Sequence, residues 1–320
     1  MCKIMIAPGA KNAENLWKFA EVIAPKITKH NNDDGLGYAA MDAKGKIFAE
    51  RWFVNRNAFK DFGLSPGDQE MLKTMGTEMF KEKYVEEYSR FGVVDRKNTV
   101  SLLLHARAAT TEKNMQNVHP FITKGTALIH NGVIRNHEEL TKTMSTCDSE
   151  VILHEYLGFN VAMDAEQIHN VIDNLKGYFA CGVLTKADDG TPIVDIFKSV
   201  AATLYATYVN ELKTVVFCTS RFDLEEAIKD LNWVQNKCFE LGNDQFIRFN
   251  GVTGEKLASF KINSNETYVN NYSHNNFKND DADREHFKTI VDKFAKEVDW
   301  IKMIEEDEAR RLIAKQNLMS

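Results

Sequence analysis

The sequence predicts an α+β fold in which two mainly antiparallel β-sheets are flanked by helices. Short apolar segments of strand length dominate the chain, and most of them follow one another as the strands of hairpins do. A few longer segments show the helical spacing of apolar residues. Strands in series with helices beside them are typical of antiparallel sheets that bury one face against a helical layer.

The strand candidates share alternating or continuous apolar residues between polar or turn-forming ones. They cover residues 2–7, 37–42, 46–54, 100–106, 127–131, 179–185, 193–197, 214–220, 246–250 and 256–262. Three segments show helical periodicity instead, at residues 14–30, 149–159 and 222–231. In the third of these, Asp223 is a candidate helix cap.

Two regions depart from this pattern. Residues 55–98 form a charged, helix-leaning insertion between strand candidates. Residues 263–283 are rich in asparagine and lack periodicity, which predicts a linker, and residues 284–320 carry an apolar stripe at helical spacing. The predicted organisation is therefore a domain at 2–262, a linker at 263–283 and an amphipathic helical tail at 284–320.

Composition excludes several classes of function. The chain has 320 residues, a formal net charge of -6 and no basic stripe interleaved with aromatics, so we expect no nucleic-acid partner. No apolar run is long enough to span a membrane. The five cysteines form no CxxC pair and show no metal-ligand spacing with histidine, so no metal site is predicted. With an odd cysteine count and no signal peptide, we expect a cytoplasmic protein.

Cys2 directly follows the initiator methionine, at the start of a predicted strand. A cysteine in this position is most often a small apolar residue that is buried with its strand. The alternative is that Met1 is removed, so that Cys2 carries a free α-amino group beside its own thiol. Because an α-amine titrates near pKa ~7.7 to 8.0, it can act as general base for that thiol. This chemistry requires an oxyanion hole and a substrate anchor elsewhere in the chain.

Residues 102–111 end a predicted strand with chemistry suited to an anchor. The guanidinium of Arg107 can hold a carboxylate with two hydrogen bonds, and Thr110 and Thr111 can add hydroxyl donors. The ordinary alternative is a surface arginine at a strand end.

Two later segments carry further candidates. In residues 127–140, Asn131 and Gly132 can direct a side-chain amide and a backbone N–H at one oxygen, although an Asn-Gly pair is also common in hairpin turns. In residues 145–154, Asp148 stands at a helix start, where it can cap the helix and also face a substrate amine. Each segment alone is weak evidence of function, whereas their order and spacing together are specific evidence.

Together with Cys2, these segments resemble the class II glutamine amidotransferases, which are N-terminal-nucleophile (Ntn) hydrolases. The elements that carry the resemblance are DGLG at 34–37, HARAAT at 105–110, NVHPF at 117–121, HNGVIRNHEEL at 130–140 and CDSEVI at 147–152. The resemblance covers roughly residues 2–262 and looks closest to the stand-alone members, a group that includes the amidohydrolase of ergothioneine biosynthesis. It implies a four-layer αββα sandwich of two mainly antiparallel sheets.

The resemblance also implies a role for each candidate residue. Cys2 would be the nucleophile with its α-amine as base, and Asn131 and Gly132 would form the oxyanion hole. Arg107 and Thr110 would bind the substrate α-carboxylate, and Asp148 would bind the α-ammonium. The histidines, including His119 of the HPF element, are expected to be architectural. Two positions depart from the pattern of the family, since Ala108 stands where many members carry an aromatic residue and Thr111 where some carry histidine. These departures concern how the site closes over the substrate and retains ammonia, and they leave the acyl chemistry unaffected.

The implied activity is hydrolysis of the glutamine side-chain amide through a Cys2 γ-glutamyl thioester, with no metal or organic cofactor. We expect the ammonia to feed a synthetase partner protein, because the chain leaves no length for an acceptor domain of its own. Two alternatives stay open, a stand-alone amidohydrolase of another γ-glutamyl amide and a non-catalytic scaffold on the same fold. The tail would pack on its own domain or dock on a partner or on a second copy in a homo-oligomer.

Overall fold

Antiparallel strands make up most of the described structure. A computed structural model of the chain describes residues 2–29, 32, 34–53, 88–89, 92–93, 96–109, 115–123, 125–140, 145–157 and 165–263. Its strands are β1 (Lys3–Ala7), β2 (Gly35–Asp42), β3 (Ile47–Phe53), β4 (Tyr88–Ser89), β5 (Gly92–Val93), β6 (Thr99–Arg107), β7 (Phe121–Thr123), β8 (Thr126–Ile134), β9 (Gly177–Lys186), β10 (Pro192–Lys198), β11 (Tyr205–Val209), β12 (Thr214–Cys218), β13 (Phe239–Glu240), β14 (Gln245–Asn250) and β15 (Lys256–Lys261). The helices are α1 (Ala13–Ile27), α2 (Asp148–Leu157), α3 (Ala165–Asp173) and α4 (Arg221–Asp230).

The strands form two large sheets. The first has the order β13-β11-β12-β1-β6-β2-β3, and the second has the order β15-β14-β10-β9-β8-β7. β4 and β5 pair only with each other, at the end of the predicted insertion. Neighbouring strands in both sheets are antiparallel, which confirms the prediction of two mainly antiparallel sheets.

Helices cover the outer face of each sheet. The apolar residues of α1 and α4, such as Trp17 and Leu224, share one core with the outward side chains of the first sheet. α2 and α3 share a second core with the second sheet, through residues such as Tyr156 and Ile168. Between the sheets, Ile6 of β1 faces the backbone of Gly182 in β9. The layers therefore follow the order αββα, as expected.

The two sheets are joined by a buried hydroxyl at the end of the sandwich far from Cys2. Ser101, in the first half of β6, accepts a hydrogen bond from the Gly9 N–H at 2.8 Å and donates one to the Gly251 carbonyl at 2.6 Å. Gly9 follows β1, whereas Gly251 follows β14 of the other sheet. This Ser101 bridge leaves Cys2 at the opposite end of β1.

Most predicted elements are confirmed, and the differences have local causes. The sequence does not predict β4, β5, β7, β11, β13 or α3. β4 and β5 lie in the insertion predicted to be helix-leaning, and they and β7 and β13 have only two or three residues each. Thr207 interrupts the apolar residues of β11, and α3 carries few apolar residues. Asp223 does not cap α4, because Ser220 is the N-cap and its hydroxyl accepts from the Asp223 N–H at 3.3 Å. Asp223 lies instead in the first turn of α4 and forms an ion pair with Lys3.

Several predictions lie outside the described residues. These are the linker at 263–283 beyond its first residue, the tail at 284–320, and residues 55–87, 90–91 and 94–95 of the insertion. Within the part of the chain that is described, no helix is both long enough and apolar enough to cross a membrane.

Candidate active site

The candidate site lies where β1 begins and β6 ends. Antiparallel pairing of Lys3 with Ala106 brings Cys2 beside Arg107, the last residue of β6. The half-buried Cys2 sulfur lies 3.4 Å from the backbone nitrogen of Ala108 and 3.5 Å from its carbonyl oxygen. A residue predicted from its position next to Met1 is thus held against the loop that follows Arg107.

Burial raises the pKa of the Cys2 thiol, although the Ala108 hydrogen bond and the positive charge of Arg107 oppose that rise. A thiol with a raised pKa is mostly protonated at neutral pH. Nucleophilic attack by this sulfur therefore requires a base that removes its proton.

The two predicted substrate anchors carry opposite charges near the sulfur. The Arg107 side chain is only 3% exposed, and both its charge and that of Asp148 act on the Cys2 thiol. Asp148 is the first residue of α2, and its carboxylate accepts a hydrogen bond from the Ile134 N–H at 2.6 Å. Because Ile134 ends β8, this bond fixes the start of α2 to the strand that carries Asn131.

Asn131 and Gly132 are neighbours in β8. Asn131 is 7% exposed, and its side-chain oxygen accepts no hydrogen bond from any described residue. Gly132 has a φ of 153°, and a Cβ there would lie 2.0 Å from the carbonyl oxygen of Tyr178. The chain can therefore adopt this backbone only with glycine. The pair is part of a strand and not of the hairpin turn that an Asn-Gly sequence also permits.

Three buried histidines connect the strands behind these residues. The Nε2 of His105 donates to the carbonyl oxygen of His130 at 3.0 Å, which joins β6 of the first sheet to β8 of the second. The rings of His105 and His119 stack with centroids 3.9 Å apart, and His130 Nδ1 is hydrogen-bonded to the Ser149 hydroxyl at 2.8 Å. The cluster thus links the strands of Arg107 and Asn131 to the residue beside Asp148.

The histidine cluster is neutral at physiological pH. Burial lowers the pKa of His105 to about 3, and it also lowers the pKa values of His119 and His130. The proximity of the rings to one another and to Arg107 lowers the pKa values of His105 and His119 further. A neutral packed cluster suits the architectural role expected from the sequence.

Other predicted residues fall elsewhere. Thr110, Thr111 and His30 lie outside the described residues. His137 and His154 are not part of the buried histidine cluster. His137 follows β8 and is hydrogen-bonded to the Ile134 carbonyl, and His154 contacts Glu150 one turn earlier in α2. Among the described residues, no group of histidine, cysteine, aspartate or glutamate side chains could hold a metal ion.

Sequence reasoning missed two groups that hold the site in place. Asp34 binds the backbone on both sides of Ala108. The DGLG element that contains Asp34 is recognisable in the sequence. The contacts of Asp34 with Arg107 and Ala109 depend on strand pairing, which the sequence does not show. Lys3 and Asp223 form an ion pair of 2.6 Å between β1 and α4. The two residues are so far apart in the chain that no local pattern could have indicated the pair.

Similar folds occur in solved structures. The structure titled the allosteric regulatory enzyme of purine biosynthesis superposes with a TM-score of 0.56, at 16% identity over 82% of this chain and 49% of that one. The Bacillus subtilis glutamine phosphoribosylpyrophosphate amidotransferase, in complex with ADP and GMP, gives a TM-score of 0.52, also at 16% identity and with the same coverage. The described part of the chain therefore shares its fold with these two enzymes.

Curated relatives are found by sequence as well. The glutamine–fructose-6-phosphate aminotransferase (isomerizing) of Photorhabdus laumondii is 34% identical over 104 residues, which is 28% of this chain and 17% of that protein. The enzyme of the same name from Pectobacterium atrosepticum is 28% identical over 151 residues, or 41% of this chain and 23% of that protein. The chain thus spans about a fifth of the length of these relatives. No family model matches the chain.

Proposed function

We propose that this amidotransferase domain hydrolyses the side-chain amide of glutamine and releases glutamate and ammonia for an acceptor enzyme in trans. The observation that carries the proposal is the position of the Cys2 sulfur against Ala108, beside the buried cation Arg107 and within the field of the anion Asp148. A nucleophile beside two anchors of opposite charge suits an amino acid that carries a reactive carbonyl on its side chain. The relatives named glutamine–fructose-6-phosphate aminotransferase favour glutamine as that amino acid.

Each anchor has a defined partner on the substrate. Arg107 binds the α-carboxylate, since a planar guanidinium can donate two parallel hydrogen bonds to it. Asp148 binds the α-ammonium with a carboxylate that the Ile134 N–H already orients. Thr110 donates a further hydrogen bond to the α-carboxylate from its hydroxyl, a role that rests only on the resemblance to class II glutamine amidotransferases. The side-chain amide of glutamine then extends from these anchors towards Cys2.

The chemistry begins with removal of Met1, which exposes the α-amine of Cys2. The neutral amine takes the thiol proton, and the sulfur attacks the amide carbon of glutamine. Asn131 and Gly132 donate hydrogen bonds to the resulting oxyanion. The protonated amine gives its proton to the leaving nitrogen, so that ammonia departs and a γ-glutamyl thioester remains. Water, deprotonated by the same amine, hydrolyses the thioester to glutamate and restores the thiol.

The ammonia acceptor is assigned to a synthetase partner protein. The described residues are accounted for by the one amidotransferase domain, and the reaction needs no metal or organic cofactor in the steps above. A homo-oligomer is compatible with the same site, because the residues that carry the chemistry all come from one chain.

The activity is tested by measuring glutamate and ammonia formed from glutamine. We expect the two products in equal amounts, and we expect Cys2→Ser to lose nearly all of this activity. Cys238→Ser is the matched control, because Cys238 is also a free cysteine but lies in the core of the first sheet. Equal activity of the Cys2→Ser variant and the unchanged protein would refute the proposal.

The nucleophile assignment has a separate test in the mass of the active protein. Intact-mass measurement should show that Met1 is absent, because the α-amine base exists only after its removal. Active enzyme that retains Met1 in full would exclude this mechanism.

A further inference from the structure

Asp34 holds the backbone on both sides of Ala108. The backbone N–H of Asp34 donates to the carbonyl oxygen of Arg107 at 3.1 Å. The carboxylate of Asp34 accepts from the N–H of Ala109 at 2.8 Å. These two bonds reach the residue before Ala108 and the residue after it.

The geometry of the peptide bond gives these contacts a consequence at Cys2. A trans peptide unit is planar, and its C=O and N–H point in opposite directions. The Arg107 carbonyl shares one unit with the Ala108 N–H, and the Ala108 carbonyl shares the next unit with the Ala109 N–H. Because Asp34 holds the outer group of each unit, the inner groups, both belonging to Ala108, point the other way. Both of them contact the Cys2 sulfur, at 3.4 and 3.5 Å.

We infer that Asp34 is a positioning residue that aims the Ala108 peptide groups at the Cys2 sulfur. The inference rests on the proposed role of Cys2 as nucleophile. Neither peptide group can turn without breaking a bond to Asp34. The Ala108 N–H is therefore preset to stabilise a thiolate, while the Ala108 carbonyl accepts a hydrogen bond from the neutral thiol.

Asp34 is well placed for this role. It is 5% exposed and immediately precedes Gly35, the first residue of β2, which pairs with Arg107 across the sheet. The sheet therefore fixes the backbone of Asp34, and the short side chain has little freedom to move. A hydrogen bond from a backbone N–H to an ionised group is stronger than one between neutral groups. Its alignment therefore affects how easily the sulfur becomes a thiolate.

The test uses the reactivity of the thiol and does not need glutamine. The rate of Cys2 alkylation by iodoacetamide is followed from about pH 6 to about pH 10 by mass spectrometry of the N-terminal peptide, which reports the thiolate fraction. The other four cysteines are buried. Asp34→Ala removes the oxygen that accepts from Ala109, whereas Asp34→Asn keeps an acceptor oxygen but loses the charge.

We expect the pKa of Cys2 to be about one unit lower in Asp34→Ala than in Asp34→Asn, which makes alkylation near neutral pH roughly five- to tenfold faster. The substitution frees the Ala108 carbonyl, which stabilises the neutral thiol, whereas the backbone N–H of residue 34 still holds the peptide unit of the Ala108 N–H. Both variants are neutral at position 34, so the difference between them reports the hydrogen bond and not the charge. Asp34→Leu keeps the branched shape of the side chain without an acceptor and should behave as Asp34→Ala does, so it replaces Asp34→Ala if that variant does not fold.

The matched control is Asp42→Ala. Asp42 ends β2, and its carboxylate accepts from the N–H groups of Lys44 and Lys46, both at 2.8 Å, far from Cys2. This variant loses two similar bonds and should leave the alkylation profile unchanged. Identical profiles for Asp34→Ala and Asp34→Asn would overturn the inference, as would an equal shift in Asp42→Ala. A protein that shows the Asp34 effect but does not hydrolyse glutamine would refute the proposed function and leave the inference standing.

Discussion

Individual residues of the site divide between two tasks. In the proposed mechanism, Arg107 and Asp148 hold the amino-acid end of the substrate, whereas Cys2, Asn131 and Gly132 act on its amide. Binding groups and groups that stabilise a transition state have different kinetic signatures, because the first lower KM and the second raise kcat. Substitutions at Asn131 and Arg107 therefore test the division.

Asn131→Ala should lower kcat for glutamine hydrolysis by about 10²- to 10³-fold, the usual cost of losing one oxyanion donor. KM should change little, because the oxyanion does not exist in the bound ground state. Steady-state kinetics on the purified variant measure both constants. An unchanged kcat would remove Asn131 from the oxyanion hole.

Arg107→Ala should instead raise KM for glutamine by at least about tenfold, because a hydrogen-bonded charge pair with the α-carboxylate is lost. Arg107→Lys should recover only part of the affinity, since an ammonium cannot reproduce the paired bonds of a guanidinium. If Arg107→Ala binds glutamine as well as the unchanged protein does, the carboxylate anchor lies elsewhere.

The buried histidines make the stability of the domain depend on pH. Their pKa values are below the ordinary value of 6.5 in the folded protein, so the unfolded chain binds more protons as the pH falls. Stability is therefore fully present above pH 6.5 and is lost as the pH drops below it. At one pH unit below 6.5, each histidine that stays neutral in the folded protein lowers the free energy of unfolding by about 1.4 kcal/mol.

We expect the free energy of unfolding in urea to be about 1 to 4 kcal/mol lower at pH ~5.5 than at pH ~7.5, with the upper value if all three histidines stay neutral. His105→Gln, which cannot be protonated, should reduce this difference by about 1.4 kcal/mol. Equal stability of the unchanged protein at the two pH values would contradict the neutral cluster.

At the scale of single elements, β1 (Lys3–Ala7) has to hold the proposed nucleophile, Cys2, immediately before its first residue. Chain ends are poorly ordered unless they are tied down. The Lys3 ammonium forms a 2.6 Å ion pair with Asp223 of α4, and the Ile4 N–H donates to the Thr219 hydroxyl at 3.0 Å. Asp223 is buried and Lys3 is largely so. This anchoring keeps Cys2 at the end of the strand in register with Arg107.

Lys3→Met should therefore lower kcat by roughly ten- to a hundredfold, because small displacements of a reacting group have large effects on rate. It should also cost about 1 to 3 kcal/mol of stability, because the Asp223 carboxylate loses its partner. Arg221→Met is the control, since Arg221 forms an exposed pair with Glu225 in the same helix. We expect nearly normal kinetics and stability from that variant. An equal loss of kcat in both variants would argue against anchoring of Cys2 by Lys3.

The elements also show how far the sequence could lead. The periodicity of apolar residues predicts α1, α2, α4 and the long strands, because the buried residues of each element follow a regular spacing within its own sequence. β11 and α3 were missed because tertiary contacts, and not a strong local pattern, stabilise them. Cys2, Arg107, Asn131 and Asp148 could be proposed from motifs, whereas the Lys3–Asp223 pair and the contacts of Asp34 depend on strand pairing and helix placement.

At the scale of the whole molecule, the separation of the two sheets depends on small side chains between them. A Cβ at Gly182 of β9 would lie 2.7 Å from the Cδ1 of Ile6 in β1. Ile6 is fully buried, so a larger residue at Gly182 requires its side chain to rearrange within the packed layer between the sheets. Because Ile6 belongs to the strand that begins beside Cys2, the sheet spacing also sets the position of the nucleophile.

Gly182→Val should destabilise the domain by about 1 to 3 kcal/mol through overpacking. Adding Ile6→Ala should recover part of that loss, because it removes the side chain that the valine meets. Urea unfolding of the two single variants and the double variant gives the coupling between the sites. Strictly additive losses would mean that the two residues do not meet across the sheets.

The Ser101 bridge has a counterpart at the other end of β6. Ser101 joins the two sheets near the start of this strand, and His105, which donates to the His130 carbonyl, joins them near its end. Separation of the sheets at either end therefore breaks a buried hydrogen bond, and we expect the amides of β6 between these two residues to exchange with solvent only in large openings of the domain.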